Sequence, residues 1–523
     1  MHQRAASTSR STAGAARRWA WLAGVVSGVL GLAVANLGAW LVGPAGSPVS
    51  AVGELVIDLL PAPLVNFGKD TLGTADKPVL LAIITVAVLL VSALAGQAEY
   101  HRRRAGAAVF AGIAVLGLVG ISARPGATIR DAVPTVVGML AGYLLLRTLT
   151  DRLQGWQGAR AQGDDEEVSA ERRRFLVWTA VAGGLAVVGA VAGQALVTAA
   201  TRVSEARQRL RLPTATKPAA PVPAGADFGL PELSPYVTPN DDFYRIDTAL
   251  QLPVINPDTW TLSISGMVET PVTLTWAELM ALPLVEHMTT LTCVSNEVGG
   301  DLIGNALWLG YPIRDLLARA KPTAGADMVR STSTDGFTAG TPLAALTDRN
   351  RQALLAVGMN GEPLPLQHGF PVRMVVPGLY GYVSATKWVT QLKVTTFAAD
   401  QGYWTPLGWS AKGPIKLASR IDVPRGTVDP GQVMVAGVAW AQHTGIAKVE
   451  VRVDDGSWQP AELAEVTSTD TWRQWRYPWS ATSGSHTLTV RATDQDGNLQ
   501  VAAEAPPAPD GSTGYHQITA KVR

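Results

Sequence analysis

The run Thr290-Leu291-Thr292-Cys293-Val294-Ser295-Asn296-Glu297-Val298-Gly299-Gly300 holds the single cysteine of a 523-residue chain. An apolar lead passes into a polar loop that ends in two glycines. This predicts a strand with the cysteine at its exit, where functional residues gather. One cysteine excludes an internal disulfide, a Cys-rich zinc site and an iron–sulfur cluster. The thiol is then a buried small hydrophobe or a reactive group.

Downstream stands Met359-Asn360-Gly361-Glu362-Pro363-Leu364-Pro365-Leu366-Gln367-His368-Gly369-Phe370-Pro371-Val372-Arg373, and then Val376-Pro377-Gly378 and Ala385-Thr386-Lys387-Trp388. Short strands that bring a His, an Arg and a Lys to loop ends make an anion cradle. Each also has a plain alternative. His368 alone reads as a satisfied loop histidine, and Arg373 as half of a surface ion pair.

Around these motifs, residues 229–410 mix short β-type runs (262–268, 372–376, 389–396) with short helical ones (276–281, 313–320), which reads as mixed α+β. Residues 411–523 change to period-two alternation, with turns such as Asp454-Asp455-Gly456 and Asp496-Gly497-Asn498. That spacing predicts a β-sandwich. Residues 201–228 carry Arg202, Arg207, Arg209 and Arg211, then Pro213, Pro218, Pro221 and Pro223. They read as a semi-rigid Pro-rich tether.

Residues 1–200 differ from all of this. Apolar runs at 19–42, 79–98, 105–123, 132–146 and 175–201 approach or exceed the ~20 residues that a bilayer span needs. The expected architecture is a helical membrane anchor of about five spans, and 49–67 reads as interfacial or re-entrant. Residues 1–200 carry 17 Lys and Arg against 12 Asp and Glu, so the net charge of +1 is a sum of a basic and an acidic half. That total argues against a nucleic-acid partner. Arg4, Arg10, Arg17 and Arg18 place the N-terminus in the cytoplasm, and Arg102-Arg103-Arg104 returns the chain there. Five spans then put the second half outside the cytoplasm. Arg172-Arg173-Arg174-Phe175-Leu176 is similar to a twin-arginine export motif, and reads equally as a positive-inside anchor. The membrane half holds only His2 and His101 and no charged residue within a span, so it reads as an anchor on a lipid bilayer.

The motifs around Cys293, His368-Gly369-Phe370-Pro371-Val372-Arg373, Val376-Pro377-Gly378 and Lys387-Trp388 together resemble the sulfite oxidase family of molybdopterin enzymes, in a membrane-anchored bacterial branch. The likeness runs from about Tyr236 to the C-terminus. It includes an immunoglobulin-like, dimerisation-type sandwich marked by Gly437-x-Ala439-Trp440 and Val490-Arg491-Ala492-x-Asp494. It implies a molybdenum–molybdopterin cofactor with one pterin dithiolene and Cys293 as the protein thiolate on the metal. His368 and Arg373 would bind the pterin and its phosphate, with Ala385, Thr386 and Lys387 alongside. Asn240, Phe243, Tyr244 and Arg245 resemble the family's early pterin-contacting segment, as seen in its periplasmic methionine-sulfoxide-reductase branch, and Asp335 is a further carry-over.

The departures shape the expected substrate. Sulfite oxidases follow the ligand cysteine with Ala-Gly-Asn-Arg-Arg, where this chain has Val294-Ser295-Asn296-Glu297-Val298. A carboxylate there repels a sulfite dianion. The family's active-site tyrosine falls in the stretch Tyr403-Trp404-Thr405-Pro406-Leu407-Gly408-Trp409, with Trp409 in its place. Tyr380, Tyr382, Tyr403, Trp404 and Trp409 would line an apolar pocket. The expectation is two-electron oxo transfer on a small neutral S-oxide or N-oxide. The alternatives are a sulfite oxidase or dehydrogenase, or a non-catalytic surface-binding protein on the same scaffold. With no haem-attachment motif in the sequence, electrons would pass to or from a separate quinone-linked or cytochrome partner. The sandwich would allow a homodimer.

Overall fold

A computed structural model describes residues 2–42, 47–61, 64, 71, 76–123, 128–249 and 252–523. The side chains of 2–16, 40–42, 58, 76, 186–202 and 204 lie outside that description. The chain divides into two compact units, Met1–Arg202 and Val203–Arg523.

The first unit is helical: α1 (His2–Val42), α2 (Pro48–Leu59), α3 (Asp76–His101), α4 (Ala105–Ser122), α5 (Ile129–Gln162) and α6 (Asp165–Arg209, which runs on into the second unit). Among the described residues four stretches are long and apolar enough to cross a membrane: Arg17–Ala39, Lys77–His101, Ala105–Ser122 and Ile129–Gln162. The short run at 132–146 therefore belongs to a longer helix. The fifth expected span, 175–201, lies on α6 and falls largely outside the described side chains. Glycines set the α1–α3 approach. A Cβ on Gly24 would stand 2.1 Å from the Ser92 carbonyl oxygen, and one on Gly96 2.1 Å from that of Ala20. Small residues at these positions allow that closeness. The turn between α3 and α4 is capped by Glu99, which accepts the N–H groups of Arg104 (3.1 Å) and Gly106 (2.8 Å).

The second unit opens with two sheets. Their strands are β1 (Thr261–Gly266), β2 (Val272–Thr275), β3 (Val285–Thr292), β4 (Ile303–Pro312), β5 (Met328–Ser333), β6 (Thr338–Pro342), β7 (Leu354–Met359), β8 (Glu362–Pro363), β9 (Arg373–Val375) and β10 (Val389–Thr395). One sheet runs β2-β1-β10-β5-β6; the other runs β3-β4-β7-β8, with β9 also on β7. Ile264, Leu316, Leu317, Leu355, Met374 and Leu392 share one core between them. The helix Ile313–Ala320 turns Ile313, Leu316, Leu317 and Ala320 into it, the spacing of one apolar helical face.

The C-terminal part is a sandwich of β11 (Ala418–Val423), β12 (Thr427–Val428), β13 (Gly431–Trp440), β14 (Ile446–Val453), β15 (Gln459–Pro460), β16 (Glu462–Leu463), β17 (Arg473–Ala481), β18 (Gly484–Asp494) and β19 (His516–Val522). Its sheets are ordered β11-β13-β17-β16 and β12-β19-β18-β14-β15. Val435, Val451, Trp475, Trp479, Leu488 and Val490 fill the space between them. The sandwich and the sheets before it also share a small core of Tyr236, Ile303, Val438, Trp440 and Trp472.

The Pro-rich stretch differs from a free spacer. It is helical to Arg209, then docks along β3 and, at Phe228, on the sandwich strand β17. Thr216 N–H donates to the Leu284 carbonyl (2.8 Å), Glu286 N–H to the Lys217 carbonyl (2.9 Å), and Phe228 N–H to Gln474 Oε1 (2.8 Å). The reason is that β3 ends its sheet. An edge strand carries unpaired N–H and C=O groups that a passing chain can satisfy.

Candidate active site

Cys293 follows the last residue of β3. Its N–H donates to the Leu302 carbonyl (2.9 Å), and Ser295 N–H donates to its sulfur (3.4 Å). Asn296 Oδ1 accepts the Leu302 N–H (2.8 Å) and closes the loop on itself. The thiol is buried and lines a cleft of about 920 Å³, open mouth included.

His368 reaches the cleft from the turn Leu366–His368. Gly369 follows at φ 109°, and a Cβ there would meet those of Arg373 at 3.0 Å and Lys387 at 3.1 Å. Glycine lets the two cationic residues close on the turn. His368 Nε2 lies 3.1 Å from the Asn240 carbonyl. Burial, with Arg373 and Lys387 nearby, pushes its pKa down to about 3, so the ring is neutral at physiological pH and Nε2–H donates.

Arg373 is buried at the start of β9. Its guanidinium donates to the carbonyls of His368 (3.2 Å), Met374 (3.3 Å) and Ala385 (3.5 Å) and lies 5.0 Å over the Trp308 ring. Burial lowers its pKa to about 10. Lys387 Nζ donates to Asp247 Oδ2 (2.8 Å) and the Gln367 carbonyl (3.1 Å). Burial brings this ammonium down to about 8 against the pull of Asp247. The same Asp247 oxygen accepts from Arg245 Nε at 3.0 Å. Tyr244 stacks on Phe243, and burial together with Cys293 raises its phenol well above the usual range.

The expected residues Phe243, Tyr244, Cys293, Asp335, His368, Arg373, Ala385, Lys387 and Trp409 all line this cleft. Four others stand behind it. Asn240 gives its carbonyl to His368, and Arg245 acts through Asp247. Thr386 is fully buried with its hydroxyl on Ser331 Oγ (2.7 Å). Tyr403 packs between Phe337 and Trp404. Asp335 Oδ1 caps its own turn through Phe337 N–H (3.3 Å). Trp409 sits 6.0 Å from Tyr382 and 6.3 Å from Trp404, forming one aromatic wall. Sequence reasoning missed Asp247 and Ser333. The Arg245-Ile246-Asp247 spacing was the available signal for the first; Ser333 gave none.

A family model, "Oxidoreductase molybdopterin binding domain", matches residues 249–404, and a "Bacterial Ig domain" model matches 423–490. The chain is 31% identical over 264 residues to the protein-methionine-sulfoxide reductase catalytic subunit MsrP of Burkholderia mallei, covering 46% of this chain and 75% of that one. The chain belongs to the sulfite oxidase family of molybdopterin-dependent oxidoreductases.

Rat mitochondrial sulfite oxidase is 29% identical over 321 residues, 52% of this chain and 58% of its own length. The chain thus spans somewhat over half of the mitochondrial relatives it matches. The solved structure of the sulfane dehydrogenase SoxCD from Paracoccus pantotrophus aligns with a TM-score of 0.49 at 22% identity, over 55% of this chain and 82% of that one.

The cleft suits the cofactor of this sulfite oxidase-family member. Arg373 is a buried cation whose contacts are carbonyls and a ring, none of them anionic. A buried charge in that state is costly until an anion meets it. The Ser333 hydroxyl, which lines the same cleft, is buried with no hydrogen-bond partner among the described residues. Cys293 supplies a soft donor.

Proposed function

We propose that this chain is a membrane-anchored, extracytoplasmic oxidoreductase that carries out two-electron oxo transfer on a small uncharged S-oxide or N-oxide. Molybdenum with one pterin dithiolene supplies the oxo chemistry when bound. Cys293 is its protein ligand. Arg373 and Lys387 hold the phosphate and pterin, Asp247 fixes Lys387 and Arg245, and His368 offers a neutral imidazole beside them. Tyr382, Trp404 and Trp409 exclude water and seat the apolar part of the substrate.

The observation that carries this reading is the cleft itself, which Cys293 lines together with aromatic rings, while Asp247 neutralises Lys387 and Arg373 is left for the cofactor's anion. The MsrP relative, named as a methionine-sulfoxide reductase, supports an S-oxide. The sulfite oxidases among the relatives keep sulfite oxidation as the second reading. Arginines around the first loops support the extracytoplasmic orientation. Electrons come from, or go to, a separate quinone-linked or cytochrome partner.

The test is metal and pterin analysis of the detergent-solubilised full chain, then assay against a panel of S-oxides and N-oxides and against sulfite. Expected are about one molybdenum per chain and oxide reduction that exceeds sulfite oxidation. A wild-type chain expressed with cofactor supply yet free of molybdenum would sink the reading. Faster turnover of sulfite would move it to the second.

A further inference from the structure

We infer that the immunoglobulin-like sandwich is a splint for the Cys293 hairpin, with Arg420 and Ser512 as positioning residues for the thiol. This deepens the reading of Cys293 as a metal ligand and rests on it only for its consequence, not for its geometry.

β3 has a sheet neighbour on one side alone. Toward its exit the open side is closed by the sandwich. Thr290 N–H donates to the Asp470 carbonyl (3.0 Å), and Gln442 Nε2 donates to the Thr290 carbonyl (3.3 Å) and to Thr292 Oγ1 (2.8 Å). Trp472 N–H donates to Thr290 Oγ1 (2.8 Å). Asp470 is itself gripped by His287 Nε2 (2.7 Å) and His443 Nδ1 (3.1 Å). The strand that delivers the thiol is thus held by the second fold at its exit as well as by its own sheet along its length.

The loop beyond the thiol is held the same way. Arg420 Nη1 donates to the Gly300 carbonyl (2.7 Å), and Ser512 Oγ to the Asn296 carbonyl (2.6 Å). His516 fills the space beside Gly299, where a Cβ would lie 2.3 Å from the ring. Arg420 is pre-set for the task. Its Nε meets Asp422 Oδ1 at 2.6 Å, its Nη2 meets Ser234 Oγ at 2.8 Å, and the side chain is 9% exposed. Asn296 is the pivot, because its side chain closes the loop within and its carbonyl is tied from without. A ligand must be held near its productive geometry by groups that are themselves locked. The sandwich provides that outer layer.

The single cysteine makes the test residue-specific. Maleimide labelling of the metal-free full chain is compared for wild type, Ser512→Ala, Arg420→Met and Arg420→Lys, with hydrogen exchange of residues 294–300 read in parallel. Labelling and exchange are expected to rise about tenfold in Ser512→Ala and Arg420→Met, the signature of easier local opening. Lysine should restore part of the protection, since it still donates to the Gly300 carbonyl. Ser512→Ala removes one hydroxyl and should keep its thermal midpoint, so it decides the matter if Arg420→Met does not fold. Gln432→Ala, on the exposed Ser480 contact of the same sandwich, is the control. Unchanged labelling in Ser512→Ala, or an equal rise in the control, overturns the splint. Because these readouts need no metal, an absence of molybdenum would defeat the functional reading and leave this one standing.

Discussion

Lys387 and Asp247 form a buried ion pair: Nζ stands 2.8 Å from Oδ2, with the side chains 10% and 3% exposed. Arg245 shares that carboxylate at 3.0 Å. Asp247 therefore aims Lys387 into the cleft and holds Arg245 behind it, and its carboxylate favours the charged form of Lys387. Removing one partner of such a pair leaves a buried charge uncompensated, which costs about 3–5 kcal/mol. Asp247→Asn is expected to lower the thermal midpoint and to reduce cofactor content, measured by calorimetry and by pterin fluorescence after release.

Lys387 gives a pH dependence with a definite sign. Burial depresses its pKa to about 8, so above that value the ammonium is lost and with it one contact for a phosphate. Cofactor release from the holoprotein should be faster at pH 9 than at pH 7, and Lys387→Met should flatten the difference. For the cofactor-free fold the sign is opposite. Between about 8 and the unfolded value the unfolded chain binds the extra proton, so this group adds stability as pH rises.

Cys293→Ser should retain the fold and lose the metal. Far-ultraviolet circular dichroism is expected to match wild type, while the molybdenum-to-protein ratio drops by about tenfold, since an alcohol is a poor donor to a soft site. Full metal content in the variant would count against Cys293 as ligand.

Trp409 separates substrate binding from chemistry. Trp409→Ala removes one ring of the aromatic wall and should raise KM for an S-oxide by about tenfold with little change in kcat, the pattern of lost uniform binding. Steady-state kinetics on a series of alkyl chain lengths would show the effect growing with chain length.

Gly304 faces the Phe243 ring so closely that a Cβ would lie 2.7 Å from it. Gly304→Ala is expected to destabilise the second unit by about 1–3 kcal/mol through overpacking. Chemical denaturation followed by tryptophan emission would measure it.

The sandwich was legible because its strands alternate and its turns carry Asp-Gly and Gly-Asn pairs. β4 and β7 were not, because they are buried on both faces, and of β3 only the exit into Cys293 was read. All six residues of β7 are buried, and so are Thr289, Thr290, Thr292 and Asn305. Buried threonines in a strand carry no periodic signal, since their burial depends on partners such as Gln442 and Trp472 far along the chain. Motif residues on loops, His368, Arg373 and Lys387, could be read one by one. Asp247 was missed: its spacing from Arg245 was a signal, but its main role exists only once Lys387, 140 residues later, folds beside it. The docking of the Pro-rich stretch was hidden for the same reason: composition describes stiffness, and the vacancy along β3 that captures it belongs to another segment.

That open flank of β3 also dictates an order of events at the ribosome. Thr290 emerges roughly 180 residues before Asp470, a delay of about 10–40 s at ordinary synthesis rates. Through that interval the nascent strand beside Cys293 presents unpaired backbone, the kind of template that other chains can pair with. The thiol-bearing hairpin is made first and completed only when the sandwich follows it, so the later strands act as its chaperone.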